Sequence, residues 1–136
     1  MMLNKIIDDY VVSDQITEED IEKLKEAGFK TVFCNRPDNE EQNQISVKSI
    51  KDKVTENGLN FIHQPVIGGQ ISQNDVDEFS DHYDAAEKPI FAYCRTGTRS
   101  SMLWALSESG KRSVDEILSL TTAAGYNLSN LFKQSQ

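Results

Sequence analysis

The sequence predicts an α/β domain of three layers, with a mostly parallel sheet of four to five strands flanked by helices. Three observations predict it. Short apolar or β-branched runs alternate along the chain with longer segments of helical spacing, the order that builds parallel sheets. Several helical segments open on Ser or Thr and close on Gly, as capping favours. The 136 residues are enough for one sizeable core. No repeat, low-complexity segment or linker divides them, so residues 1–136 read as a single domain.

Tyr10, Val11 and Val12 form the first short strand, and residues 13–16 turn the chain. Thr17 caps a helix, with Asp20 three residues on as a variant of the capping box. Ile21 and Leu24 give that helix a buried stripe, and Gly28 ends it. Residues 30–35 are the second strand, rich in β-branched and apolar side chains, and residues 36–40 form the loop beyond it. The next helix runs from about residue 44 to residue 56, with Ile45, Ile50 and Val54 at approximate helical spacing. Residues 59–66 are the third strand and its exit, followed by a flexible loop at 67–70. Ser72, with Asp75 three residues on, caps a helix whose Val76, Phe79 and Tyr83 face inward. Pro89 then opens a short apolar run of the kind a parallel sheet buries on both faces. Further on, Ser113 and Glu116 form a capping box for a helix from Val114 to about Ala124. Gly125 stops it, and residues 127–133 make a short last helix.

The chemistry concentrates where the apolar run 89–93 meets Cys94 and the polar loop behind it. The loop gives way at once to a mostly buried helix containing Met102, Leu103, Trp104, Ala105 and Leu106. Gly97 sits mid-loop, where the backbone can turn its N–H groups inward. A loop of this kind at a helix N-terminus cradles an anion, because free N–H groups and the helix dipole both favour negative charge. The same field and the neighbouring cations favour the thiolate of Cys94, the nucleophilic form. Arg99 can hold two oxygens of an anion with its fork of donors, and Ser100 can donate to the sulfur when it leaves. Arg95, Thr96, Gly97 and Thr98 complete the anion-binding loop. A lone cysteine ending a core strand is often only a small buried hydrophobe. Here it is followed by polar residues at a strand-to-helix switch, where open α/β sheets bind ligands.

The strands' C-terminal ends share one edge, so the loops at 36–38, 64–70 and 94–99 should converge. Arg36 is then a second cation above the anion, or else a structural ion-pair partner. Asp38 is the best-placed carboxylate for general acid work, the alternative being a turn aspartate after proline.

Residues 94–100, Cys-Arg-Thr-Gly-Thr-Arg-Ser, resemble the active-site loop of cysteine-dependent phosphatases and of rhodanese sulfurtransferases. Phosphatase loops place five residues between cysteine and arginine, and rhodanese loops usually four. Four stand here: Arg95, Thr96, Gly97 and Thr98. Tyr93, where phosphatases commonly carry histidine, leans the same way. Over nearly its whole length the chain resembles the beta-lactamase-hydrolase-like, phosphatase-like domain family. This is a bacterial group related to dual-specificity phosphatases and also labelled a sulfurtransferase family. The matching stretches are residues 15–20, 28–32, 35–38, 64–66, 94–100 and 124–128. The resemblance implies a cysteine-phosphatase-like fold. It also implies hydrolysis of phosphate monoesters through a thiophosphate on Cys94, with Arg99 as the anion clamp. Dual-specificity phosphatases carry an aspartate general acid at about residues 67–69, where this chain has Ile67, Gly68 and Gly69. General acid catalysis contributes typically 10²–10⁴-fold, so alkyl phosphate turnover is expected to be poor unless Asp38 or another donor substitutes. A persulfide relay on Cys94, as in a rhodanese-like sulfurtransferase, needs no such acid. The rhodanese family's downstream glycine-rich segment, however, is replaced by the helix capped by Ser113. A third reading is an anion-binding module without turnover.

With 14 Lys and Arg against 22 Asp and Glu, the net charge is −8. That disfavours nucleic acid and anionic membrane as partners, and leaves a small anionic substrate, a phosphate ester or a sulfane sulfur donor, drawn in by a local basic pocket. The two cysteines, Cys34 and Cys94, are too few for a disulfide scaffold. Residues 1–9 are too acidic and too poor in apolar side chains for a signal peptide, and no apolar run approaches ~20 residues. The expectation is a soluble, cytoplasmic protein. His63 and His82 lack a second ligand at metal spacing, so neither metal nor cofactor is expected. Cys34 is read as a core thiol, with a redox partnership with Cys94 as the alternative.

Overall fold

A computed structural model describes residues 1–135, with side chains described as far as Phe132. The chain runs β1 (Asn4–Ile7), β2 (Tyr10–Ser13), α1 (Asp20–Glu26), β3 (Thr31–Cys34), α2 (Val47–Glu56), β4 (Asn60–His63), α3 (Gln73–Ala85), β5 (Ile90–Tyr93), α4 (Thr98–Glu108), α5 (Val114–Ala123) and a 3-10 helix (Ser129–Ser135). One five-stranded sheet has the order β1-β2-β5-β3-β4. β5 lies parallel to β2 on one side and to β3 on the other, β3 and β4 are parallel, and β1 is antiparallel to β2.

The period-2 alternation of the strands divides the core into two layers. Tyr10, Val12, Phe33, Ile90 and Ala92 face a layer that holds Phe79 of α3, Leu103 and Trp104 of α4 and Ile117 of α5. Val11, Val32, Cys34, Phe91 and Tyr93 face the other, with Ile21 and Leu24 of α1 and Ile50 and Val54 of α2. The placement of the helices follows from crossover handedness. The path from β2 to β3 to β4 moves outward along the sheet, and the path from β4 back to β5 moves inward. Right-handed crossovers therefore put α1 and α2 on one face and α3 on the other. The result is that the last strand inserted, β5, is the central one. It is buried on both faces and delivers its C-terminal residue to the middle of the sheet edge.

Several details depart from the sequence-based expectation. β1 was not predicted. Of its four residues only Ile6 is fully buried, so it offers no alternating pattern to read. The first helix begins at Asp20 rather than just after Thr17, because Thr17 heads a turn. The Asp20 carboxylate accepts from the Thr17 N–H at 2.9 Å, but no side chain caps the helix itself. The second helix starts at Val47, where the Ser46 hydroxyl accepts from the Ser49 N–H at 3.1 Å. Ser113 caps α5 by accepting from the Glu116 N–H at 3.1 Å, while the Glu116 carboxylate pairs with Arg112 at 2.8 Å. The last helix is of the 3-10 type.

Cys34 lies opposite Tyr93 across the β3–β5 ladder, and both pack in the α1–α2 layer. Its thiol donates to the Arg36 carbonyl at 3.3 Å, and burial pushes its pKa up. Successive strand residues point to opposite faces, so Cys94, next after Tyr93, turns away from that layer. The geometry accords with a core thiol at Cys34.

α3 carries the full capping box expected for it. Ser72 Oγ accepts from the Asp75 N–H at 3.1 Å, and the Asp75 carboxylate accepts from the Ser72 N–H at 2.9 Å. Ser72→Ala should lower stability by about 1 kcal/mol, read as a lower urea midpoint at unchanged m-value.

Candidate active site

Cys94 leaves β5 fully buried, and its sulfur accepts the Gly97 N–H at 3.0 Å. Gly97 has a φ of +95° as the N-cap of α4, a conformation that side chains disfavour. That turn folds the loop under the sulfur and starts the helix. Arg95 is exposed and lies 3.8 Å from the Glu41 carboxylate. Thr96 Oγ1 donates to Thr98 Oγ1 at 3.0 Å. The helix is anchored from the sheet by Tyr10, whose buried hydroxyl donates to the Ser100 carbonyl at 2.9 Å.

Arg99 comes from the first turn of α4 and is only 9% exposed. Its Nη1 donates to Glu40 Oε2 at 2.7 Å and to the Val66 carbonyl at 2.9 Å, and its Nη2 donates to Glu40 Oε1 at 2.8 Å. A guanidinium has five N–H donors, and these bonds use its outer edge. The side-on pair, the Nε–H and the second Nη2–H, makes no hydrogen bond to a carbonyl or carboxylate among the described residues. The hydrogen bonds that Arg99 donates to Glu40 raise its pKa, burial opposes them, and the nearby Cys94 sulfur adds to the rise.

Arg36 is wholly buried at the exit of β3. Its Nε donates to Glu40 Oε1, its Nη1 to Gln15 Oε1 and its Nη2 to Glu41 Oε1, each at 2.8 Å. Burial alone would lower its pKa, and the two carboxylates, Glu41 before Glu40, outweigh that and raise it. Arg36 thus carries the carboxylate that orients Arg99, the arrangement expected of a structural ion-pair partner.

Two other expectations find different geometry. Asp38 Oδ1 accepts the Val47 N–H at 2.8 Å, so it serves the first turn of α2. Ser100 Oγ donates to Asn35 Oδ1 at 2.8 Å, which commits its single proton to the strand end and not to the sulfur. Asn35 is fixed in turn by its own bond to the Gln64 carbonyl at 3.1 Å.

The site residues that sequence reasoning missed are Glu40, Asn35 and Gln15. Glu40 left one signal: it stands four residues after Arg36 in a polar loop at the strands' C-terminal edge. Among the described residues, no three His, Cys, Asp or Glu side chains are grouped to hold a metal ion. Among the same residues no helix is long and apolar enough to cross a membrane.

The hydrogen bonds from Arg99 first, then those from Arg36, hold the Glu40 carboxyl below its ordinary value of 4.5 against the opposing effect of burial. A depressed carboxylate pKa contributes stability that is complete above the unfolded value. That stability is lost as the pH falls through the folded value. Glu40→Gln should therefore cost roughly 1.5–3 kcal/mol at pH 7, the range for hydrogen bonds to charged groups. The gap between parent and variant should close as unfolding is repeated at pH values progressively below 4.5.

Comparison with known proteins places this geometry. Residues 2–111 match the family described as beta-lactamase hydrolase-like protein, phosphatase-like domain. A beta-lactamase hydrolase-like protein of Xylella fastidiosa is 31% identical over 119 residues, covering 86% of this chain and 28% of that protein. The chain therefore spans little more than a quarter of that relative's length. Among solved structures, a Neisseria meningitidis protein described as a candidate phosphatase is 40% identical with a TM-score of 0.88, covering 99% of this chain and 96% of that one. At 13% identity a P. aeruginosa protein, TpbA, solved in complex with pTyr, shares the fold with a TM-score of 0.66, covering 88% of this chain and 72% of that one. The central-strand cysteine, the loop beneath it and the match over most of the chain lead to one conclusion: the chain belongs to the beta-lactamase hydrolase-like, phosphatase-like domain family.

Proposed function

We propose that the chain hydrolyses phosphate monoesters through Cys94. The observation that carries this reading is the pairing of a buried sulfur that accepts the Gly97 N–H at 3.0 Å with an arginine whose outer edge is held by Glu40 and which also interacts with that sulfur. The thiolate attacks phosphorus, and the ester P–O bond breaks with its electron pair going to the departing oxygen, which takes a proton from water. Water then attacks phosphorus, the P–S bond breaks, and phosphate leaves as the thiolate is restored. Arg99 and the loop N–H groups hold charge on the equatorial oxygens throughout.

The substrate class follows from what the site lacks. Asp38 serves the start of α2, residues 67–70 carry no carboxylate, and Glu40 is held ionised between two arginines. With no proton donor assigned, the reading favours esters whose leaving group departs unaided, aryl phosphates over alkyl phosphates. The pTyr complex of the P. aeruginosa structure is in keeping with an aryl ester.

The missing acid also favours a second reading, in which Cys94 accepts sulfane sulfur as a persulfide and passes it to a nucleophilic acceptor. The four-residue spacing between Cys94 and Arg99 supports it.

One set of assays separates the two. Under the first reading, Cys94→Ser should bring aryl phosphate hydrolysis to the buffer rate, and Arg99→Ala should lower it by roughly 10²–10³-fold. Parent-like hydrolysis in Cys94→Ser would remove the phosphatase reading. A mass gain of one sulfur atom on Cys94 after thiosulfate treatment, with turnover to cyanide, would establish the second reading in its place.

A further inference from the structure

The loop beneath Cys94 is held from outside by a residue near the other end of the sequence. Tyr126 follows α5, and its hydroxyl reaches the Thr96 carbonyl at 3.2 Å. The same oxygen accepts from Asn4 Nδ2 of β1 at 2.9 Å. A tyrosine hydroxyl has one proton, and with Asn4 donating into it, that proton goes to Thr96. Burial raises the Tyr126 pKa, so the hydroxyl stays a donor across the physiological range.

The Thr96 carbonyl and the Gly97 N–H belong to one planar, trans peptide unit and point in opposite directions. Tyr126 holds the carbonyl end of that unit, and the N–H end rests on the Cys94 sulfur at 3.0 Å. A flip of this peptide would turn a carbonyl oxygen toward the thiolate in place of a donor. The ring packs against the same spot. A Cβ at Gly97 would lie 2.1 Å from the Tyr126 hydroxyl oxygen and 2.9 Å from Cζ, with Val12 Cγ1 at 3.0 Å. Gly97 and Tyr126 are therefore fitted to each other, and the space that a side chain would need is filled by the phenol.

We infer that Tyr126 is a positioning residue of the Cys94 site: its hydroxyl locks the Thr96–Gly97 peptide with the N–H aimed at the sulfur. The inference rests on the reading of Cys94 as a nucleophile and holds for either phosphoryl or sulfur transfer.

The test follows alkylation of Cys94 by iodoacetamide without substrate, with site-resolved mass spectrometry distinguishing it from Cys34. In Tyr126→Phe the ring stays and only the donor is lost. Alkylation at pH 7 should slow roughly three- to ten-fold, the range for one hydrogen bond. At a pH high enough to ionise the thiol in both proteins, the rates should converge. Asn4→Leu, which leaves the bond from Tyr126 to Thr96 in place, should stay within about two-fold of the parent at pH 7. The assignment is overturned by a parent-like rate in Tyr126→Phe at pH 7, by an equal change at both pH values, or by an equal loss in Asn4→Leu. Any of these would make Tyr126 a packing residue. Failure of the phosphatase reading would appear separately, as no aryl phosphate turnover in the parent, and would leave the alkylation comparison intact.

Discussion

Two guanidinium groups, one wholly buried and one nearly so, share a single carboxylate, and the geometry of the site depends on that arrangement. Burying a cation without an anion is costly, and partial burial of a well-bonded pair is tolerated. Glu40 meets the requirement for Arg36 and Arg99 together, using Oε1 for both and Oε2 for Arg99 alone. Because Arg36 is also fixed by Gln15 and Glu41, the carboxylate has little freedom, and neither has the arginine that faces the sulfur. On the proposed function, the pre-set position of Arg99 would spare an anion much of the cost of ordering a long side chain.

The sheet supplies the other half of the arrangement. The central strand has parallel neighbours on both sides, so its C-terminal residue emerges where three loops meet. The loop after β3 brings Asn35, Arg36 and Glu40, the exit from β4 brings the Val66 carbonyl, and the loop after β5 brings Cys94 and Arg99. The site is thus a property of strand order, and its parts come from segments separated by up to 65 positions in the chain.

Much of this was legible in the sequence, and the illegible parts share a physical cause. The alternation of strands and helices, the capping of α3 and the strand-loop-helix around Cys94 are local patterns, and each was readable from neighbouring residues. Asp38 was ambiguous because a carboxylate just past a strand can serve either the sheet edge or the N–H groups of the next helix. The choice depends on how the intervening loop folds, and here it folds so that Asp38 meets Val47. Ser100 was expected to face the sulfur, but Asn35, 65 residues earlier, takes its proton. Glu40 gains its importance only when the loop after β3 doubles back over Arg99, a contact that no spacing rule encodes. β1 escaped notice because a four-residue edge strand with one fully buried side chain carries too little pattern to separate from a turn.

The chain of bonds from Asn4 through Tyr126 to Thr96 joins the first strand and the last loop to the turn beneath Cys94. Peripheral strands and closing loops are commonly the first parts of a domain to open, at free energies well below that of global unfolding. When the support of the loop beneath Cys94 is drawn from such a closing segment, fraying at the periphery reaches that loop before the central sheet yields. On the proposed reading of Cys94, warming would disarm the cysteine while most of the fold persisted, so the loss of reactivity would report the opening of the outermost elements, not the melting of the core.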